Sequence, residues 1–335
     1  MTPGDGPAWD RAALVSSPLL ATVRPLVERL PAERFPSLDE LNALARERGL
    51  RSGSGAPITF VPSAPGKRGA FDAQYEVRIF RDGAVPTRAE SWHDLFNALA
   101  WLTFPRTKAT LNRLHHEEML RRRGEVQRGT ARDLLTLFDE GGVIAACADP
   151  SLPALLAGFR WKELFWARRA EVVESMRFKV FGHAIHEKAL APYKGVTAKT
   201  LVVDVERDTL ALPDEALTAR LDERAAAHFA APGALDSTRS LHPLPILGVM
   251  GLGVVLVIVG GWLLGNYITR PIQMLEEGLL AILNGQSDKR FELDKLNAEA
   301  AAAARNLDEL VRQAREWRAA GNKGPYFPFG PPPLD

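Results

Sequence analysis

The sequence lacks charged residues over one long stretch near its C-terminal end. No Lys, Arg, Asp or Glu occurs between Arg239 and Arg270, and almost every residue from Ile246 to Ile268 is apolar or glycine. A helix rises about 1.5 Å per residue, so roughly 20 such residues cross the hydrocarbon core of a bilayer. Residues 244–268 are therefore predicted to form a single transmembrane helix, with the lipid bilayer as partner.

Other absences exclude further classes of protein. Cys147 is the only cysteine, so no intrachain disulfide is possible, and a lone thiol is more often a small core residue than a nucleophile. The 42 Lys and Arg residues nearly balance the 41 Asp and Glu residues, which excludes a general nucleic-acid binder. Residues 1–6 do not show a cationic start followed by an apolar run, so no signal peptide is expected.

No established catalytic motif is present. The segment 195–199, Gly-Val-Thr-Ala-Lys, ends in lysine after a glycine, but it does not have the spacing of a phosphate-binding loop. The sequence therefore leaves both the cofactor and the identity of any metal open.

The remaining pattern predicts an α+β fold for residues 1–240, mainly helical with a small sheet. Helical periodicity begins after a capping residue, Ser91, and apolar runs at 143–147 and 201–205 are typical of short strands. Residues 75–80 alternate with period two and are followed by Asp82-Gly83, which predicts a hairpin with a return strand at 84–87.

Several stretches of this domain resemble one bacterial family. The distinctive sequences are WHDLFNALAWLTFPRTK at 92–108, RDLLTLFDE at 132–140, FGHAIHEK at 181–188 and LHPLPILG at 241–248. Together they resemble DUF3025, a domain of unknown function. The resemblance covers residues of about 71–249, and residues 1–70 look like its looser N-terminal part. The family has no agreed activity, so the resemblance implies a domain but no reaction.

Residues 268–312 resemble a HAMP-type linker, the two-helix module that follows transmembrane helices in bacterial receptors. Pro271 follows a membrane-proximal cation, and Gly285 interrupts an amphipathic helix before a second helical segment. The predicted organisation is, in chain order, the DUF3025-like domain, the span, the HAMP-like helices at 269–318 and a Pro/Gly/aromatic tail at 319–335.

The two resemblances and the span imply a single-pass protein of the bacterial inner membrane. Positive charges flank the span almost equally, so they do not decide its orientation. The HAMP-like resemblance would place the C-terminus in the cytosol, whereas the missing signal peptide favours a cytosolic N-terminal domain, which is the orientation predicted here. Gly261 and Gly265 have the spacing that permits close contact between membrane helices, which predicts a homodimer.

The candidate catalytic residues are the ionisable side chains of the distinctive stretches. His183 and Glu187 are spaced i,i+4, so their side chains share one helical face and suit a metal site or an oriented base. The structural alternative for this pair is an ordinary hydrogen bond, and for Asp94 it is helix capping. The complete catalytic set is His93, Asp94, Asp133, His183 and Glu187.

Neighbouring polar and aromatic residues complete a predicted cleft. Asp139 and Glu140 precede a Gly-Gly pair, so an ordinary turn at a helix end explains them equally well. The candidate binding residues are Trp92, Asn97, Lys108, Arg132, Asp139 and Glu140.

Two functions remain open from sequence. The first is a membrane-anchored binding or regulatory module. The second is an enzyme, a metal-assisted hydrolase that uses the His, Asp and Glu cluster. A shared site requires His93, Asp133 and His183 to lie within about 10 Å of one another.

Overall fold

A computed structural model describes residues 7–63, 74–122, 129–193 and 195–246 of the 335-residue chain. These all belong to the first of two units, Met1–Met250, and the second unit is Gly251–Asp335. The predicted span at 244–268 is wrong at its start, because Leu244 and Pro245 belong to a strand, His242–Pro245, that pairs within the domain. Residues 247–268 of the predicted span lie outside the described residues. The HAMP-like helices, the tail, Gly261 and Gly265 lie wholly outside them. Within the described ranges, no helix has both the length and the apolar character needed to cross a bilayer.

The described residues form an α+β fold, as the sequence predicts. The helices are α1 (Arg11–Ser16), α2 (Arg24–Val27), α3 (Leu38–Glu47), α4 (Tyr75–Asp82), α5 (Trp92–Thr103), α6 (Pro105–Arg121), α7 (Thr130–Gly141), α8 (Leu152–Ala157), α9 (Arg169–Ser175), α10 (His183–Lys188), α11 (Arg207–Leu210) and α12 (Asp214–Ala230). The strands are β1 (Thr59–Pro62), β2 (Ala84–Thr87), β3 (Gly142–Cys147), β4 (Met176–Val180), β5 (Thr197–Asp204) and β6 (His242–Pro245). A π-helical turn, Glu163–Ala167, lies between α8 and α9.

The larger sheet has the strand order β4-β3-β5-β6. Its central strands β3 and β5 run parallel, with Val143 opposite Thr200, and β4 and β6 are antiparallel to their neighbours. Every residue of β3 is buried, which explains its continuous apolar sequence. The smaller sheet pairs β1 and β2 in parallel.

Two apolar clusters fill the interior. One joins α1–α5 with the β1–β2 sheet, and the other joins α7 and α12 with the larger sheet. Helix α10 packs against both α5 and α7, and α6 packs against α4, α7 and α12. The polar side chains described below lie on these bridging helices.

The predicted hairpin at 75–87 is wrong in its first half. Residues 75–82 form helix α4, and Gly83 is its left-handed C-cap with a φ of 68°. An Asp-Gly pair satisfies both a hairpin turn and a glycine cap, so it does not distinguish them. Strand β2 is present, but its partner is β1 rather than residues 75–80.

The entry into α10 depends on a close backbone approach at Gly182. Its amide N–H donates to the carbonyl oxygen of Gly142 at 2.8 Å, and a Cβ on residue 182 would lie 2.4 Å from the carbonyl oxygen of Glu140. A side chain larger than hydrogen would therefore push α10 away from the end of α7.

We expect Gly182→Ala to destabilise the protein by about 1–3 kcal/mol, as overpacking does in other buried sites. Urea unfolding of the full chain in detergent measures this change. Gly141→Ala is the matched control, because a Cβ there meets no atom within 4 Å. Equal stability of the two variants would contradict the steric argument.

Candidate functional site

Two histidines from different helices meet at the contact between α5 and α10. His183 Nε2 lies 3.1 Å from His93 Nε2, and Nδ1 of His93 lies 2.9 Å from Glu187 Oε2. The i,i+4 spacing of His183 and Glu187 thus places both side chains against one imidazole. His93 is the outer ring, with 39% of its side chain exposed, while only 7% of the His183 side chain is exposed.

The contacts determine which ring nitrogens carry protons when both rings are neutral. A carboxylate only accepts hydrogen bonds, so His93 must donate its Nδ1–H to Glu187. Nε2 of His93 is then an acceptor, and His183 must donate its Nε2–H to it. This leaves Nδ1 of His183 unprotonated, 3.7 Å from Asp139 Oδ2, without a hydrogen bond.

A second polar chain continues inward from Asp139. Lys108 donates from Nζ to Asp139 Oδ1 at 2.6 Å and to Asn97 Oδ1 at 2.9 Å, and Asn97 Nδ2 donates to the Tyr75 hydroxyl at 2.8 Å. Only 5% of the Lys108 side chain is exposed, and its ammonium lies 5.4 Å from the centre of the Trp101 ring. Burial opposes ionisation of Asp139, but Lys108 and His183 outweigh it, so the pKa of Asp139 lies below its ordinary value.

The inner end of the cluster is a small cavity beside Glu76. Asn112 Nδ2 donates to Glu76 Oε2 at 2.9 Å and to the Glu76 carbonyl oxygen at 3.0 Å. Burial raises the pKa of Glu76 to about 7, the charge of Asp139 adds to the rise, and Asn112 and Lys108 oppose it. The cavity measures about 10 Å³, roughly the room that one water needs. Its lining residues are Tyr75, Glu76, Ile79, Trp101, Lys108, Leu111, Asn112, His115 and Asp139.

Burial lowers the pKa of His183 to about 4, although Asp139 acts in the opposite direction. We therefore expect His183 to remain neutral between pH 5 and 8, with its proton on Nε2. Nitrogen-15 NMR of histidine-labelled protein measures both properties. A His183 ring that takes up a proton near pH 6.5, or that carries its neutral-state proton on Nδ1, would contradict the assignment.

Two other predicted residues, Asp94 and Trp92, have partners elsewhere. Asp94 instead accepts three hydrogen bonds from Arg88, from its amide and its guanidinium, at 2.7–2.8 Å. Trp92 is a core residue that stacks on Trp9 and packs against Phe35. Asp94 is therefore held in an ion pair with Arg88, and Trp92 belongs to the apolar core.

The three other predicted residues lie on α7. Asp133 and Glu140 are exposed, whereas Arg132 is half-buried and acts electrostatically on Glu76. Asp139 of this helix contributes a hydrogen bond to the cluster, because its side chain faces Lys108 on α6.

Sequence reasoning missed the inner half of the site. Tyr75 and Glu76 were assigned to a strand, and their helical placement on α4 brings them towards α6. Asn112 and His115 lie on α6, one turn and nearly two turns beyond Lys108. The spacing 108, 112, 115 is a helical face of polar residues and is the signal that would have found them.

A metal centre is not indicated by the ligand geometry. Among residues 7–63, 74–122, 129–193 and 195–246, no group of three or more His, Cys, Asp or Glu side chains is arranged to hold one ion. Zinc sites in enzymes usually provide three such ligands.

A comparison with protein families shows the family to which the chain belongs. The family model described as "Protein of unknown function (DUF3025)" matches residues 58–254, which are 197 of the 335 residues. The chain belongs to the DUF3025 family. The match includes every residue of the polar cluster and ends inside the predicted membrane span. Searches of curated proteins and of solved structures find no match.

Proposed function

We propose that the DUF3025 domain is a hydrolytic enzyme that works by acid–base chemistry. The observation that carries the proposal is the polar chain from Glu187 at the surface to the cavity beside Glu76. Buried charged groups seldom stabilise a fold more than apolar residues would, so their concentration here favours a role in function.

Glu76 is the proposed general base. A carboxyl group with a pKa of about 7 exchanges protons readily near neutral pH, which is the property that general acid–base catalysis requires. The adjacent cavity has room for about one water, so water is the co-reactant that Glu76 would activate. Tyr75 is the exposed member of the lining, with 42% of its surface accessible, and marks the side of substrate approach.

The histidine pair is the proposed path for the released proton. The proton that Glu76 takes from the water is released into the cavity that Asp139 also lines, and Asp139 Oδ2 passes it to Nδ1 of His183, 3.7 Å away. The Nε2–H of His183 then passes to Nε2 of His93. His93 then passes its Nδ1–H to Glu187, and both rings exchange their tautomers. The net result is one proton moved to a carboxylate at the surface, and the proposed chemistry is carried by side chains alone.

The test compares substrate depletion by variants of the full chain. Purified protein is incubated with a bacterial small-molecule extract, and the mixture is followed by mass spectrometry. We expect wild type and the exposed control Glu117→Gln to deplete the same compound. Glu76→Gln should reduce that rate by about 10²–10⁴-fold, the usual contribution of a general base. Equal depletion by wild type and Glu76→Gln would contradict Glu76 as the general base, and no depletion by wild type would contradict an enzyme.

A binding or regulatory module is the second candidate. Both ring nitrogens of His93 already form hydrogen bonds within the protein. Such a fixed ring suits a cluster that closes around a ligand better than an active site that converts a substrate. A compound that raises the melting temperature of both wild type and Glu76→Gln, without being consumed, would favour this candidate.

We also propose that the uncharged run after strand β6, up to Ile268, anchors the domain in the bacterial inner membrane, with the domain in the cytosol and the HAMP-like helices beyond the span. The uncharged run between Arg239 and Arg270 supports the anchor. The full chain should sediment with membranes and resist carbonate extraction. A homodimer through Gly261 and Gly265 should appear by crosslinking in lipid, and monomer alone would contradict it.

A further inference from the structure

The buried polar chain fixes the hydrogen-bonding role of the Tyr75 hydroxyl group. Lys108 Nζ can only donate, so the Asn97 atom that lies 2.9 Å from it is the amide oxygen. The amide nitrogen of Asn97 then faces Tyr75 and donates to its hydroxyl oxygen at 2.8 Å. The hydroxyl group is therefore an acceptor towards Asn97, and its own O–H is directed elsewhere. Among the residues that the structure describes, that O–H forms no hydrogen bond with an acceptor.

Tyr75 lines the same cavity as Glu76. Burial raises the pKa of Tyr75 well above its ordinary value, and the charges of Glu76 and Asp139 add to the rise. The phenol therefore keeps its proton at neutral pH and is a neutral hydrogen-bond donor. The ammonium of Lys108 polarises the Asn97 amide, and hydrogen bonds in such a chain strengthen one another, so the Tyr75 O–H becomes a better donor.

A neutral donor beside a proposed general base is suited to stabilising an oxyanion. When water adds to a carbonyl carbon, the electron pair of the C=O bond moves to the oxygen, and negative charge develops there. A hydrogen bond to that oxygen is stronger in the transition state than in the substrate, so it accelerates the reaction. Tyr75 therefore favours a substrate whose reacting oxygen gains its charge during the reaction, as a carbonyl oxygen does.

The proposed proton path distinguishes esters from amides. Near neutral pH, hydrolysis of a carboxylic ester yields a carboxylate, an alcohol and one proton. Hydrolysis of an amide yields a carboxylate and an ammonium ion, which keeps the proton. The path from Asp139 through the two histidines to Glu187 removes one proton in each turnover. An ester requires such a path, and an amide does not.

We propose that the site hydrolyses a carboxylic ester and that Tyr75 is a catalytic residue, which donates its O–H to the carbonyl oxygen. This inference rests on the proposed hydrolytic function, with Glu76 as general base. The water oxygen bonds to the carbonyl carbon, Glu76 takes one water proton, and the C=O electron pair moves to the oxygen that Tyr75 holds.

The collapse of this intermediate completes the reaction. When the electron pair returns to the carbonyl carbon, the bond from that carbon to the alcohol oxygen breaks. The leaving oxygen takes the second water proton. The products are a carboxylate and an alcohol, and the proton on Glu76 leaves by the histidine path.

The test uses the full chain in detergent with three chromogenic probes: p-nitrophenyl acetate, p-nitroacetanilide and bis(p-nitrophenyl) phosphate. We expect hydrolysis of the ester alone. Tyr75→Phe should lower kcat for the ester by about 10²–10³-fold, the usual effect of removing one oxyanion donor. KM should change by less than about 3-fold, because the donor acts on a charge that the substrate does not yet carry.

Tyr193→Phe is the matched control, since it makes the same change at a tyrosine that is 54% exposed, and it should leave both constants unchanged. The Asn97 amide loses its acceptor in Tyr75→Phe, which destabilises the fold by about 1–3 kcal/mol. Urea unfolding measures this loss, and kcat is normalised to the folded fraction.

The outcomes separate this proposal from the hydrolytic function on which it rests. A normalised kcat of Tyr75→Phe equal to that of wild type overturns this proposal alone. Cleavage of the amide or the phosphodiester instead of the ester, or of none of the probes, overturns the ester assignment, while depletion of a compound from the extract still supports an enzyme. Ester cleavage that is equally fast in Glu76→Gln overturns the general base and this proposal together.

Discussion

Lys108→Met is expected to destabilise the protein by about 3 kcal/mol. Removing one partner of a buried ion pair usually costs 3–5 kcal/mol, because the other charge is left without compensation. The lower end applies here, since 23% of the Asp139 side chain is exposed and water screens part of its charge. Asn97 also loses the donor to its carbonyl oxygen. Urea unfolding of the full chain in detergent measures the change.

Two control variants distinguish the loss of a buried ion-pair partner from the loss of a charged side chain in general. Arg29→Met removes a pair whose side chains are 42% and 56% exposed, and such surface pairs contribute less than about 1 kcal/mol. The double variant Lys108→Met/Asp139→Leu should recover most of the stability, because no unpaired charge remains. A double variant less stable than Lys108→Met would contradict the explanation.

Glu76→Gln is expected to stabilise the protein above pH 7 by about 2–3 kcal/mol and to leave it unchanged near pH 4. Burial raises the pKa of Glu76 from 4.5 to about 7, so between these values the folded state binds more protons than the unfolded state. The contribution of Glu76 to the stability of the wild type is therefore lost as pH rises through this window. Glutamine has no proton to lose and still accepts from Asn112.

Subtracting the wild-type stability from that of Glu76→Gln at each pH isolates the contribution of Glu76. His183 acts in the opposite direction, because its pKa is lowered from 6.5 to about 4 and its contribution is lost as pH falls. The two contributions largely cancel in the wild-type curve, so only the difference curve tests Glu76. Glu117→Gln, at a carboxyl whose side chain is 52% exposed, is the control and should change stability by less than about 1 kcal/mol. A flat difference for Glu76→Gln would contradict the raised pKa.

The outer half of the site could be predicted because its signal is local. The i,i+4 spacing of His183 and Glu187 implies a shared helical face whatever else the chain does. Asp94, Asp133 and Asp139 cannot be ranked by residue type. Asp139 joins the cluster because its face of α7 is turned towards α6, and Asp94 is held by Arg88 instead. The inner half was missed because the alternation in residues 75–80 is compatible with a strand.

By itself, the sequence determined the α+β class, the family, the positions of α5 and β3, and the charge-free run before Arg270. These depend on composition, capping and periodicity, which act over a few residues. Only the tertiary structure decided that α4 is a helix, that Gly182 brings α10 against α7, and that Glu76, Lys108 and His183 belong to one cluster. The physical reason is that their contacts join residues tens of positions apart, and no local pattern records which buried polar groups satisfy one another.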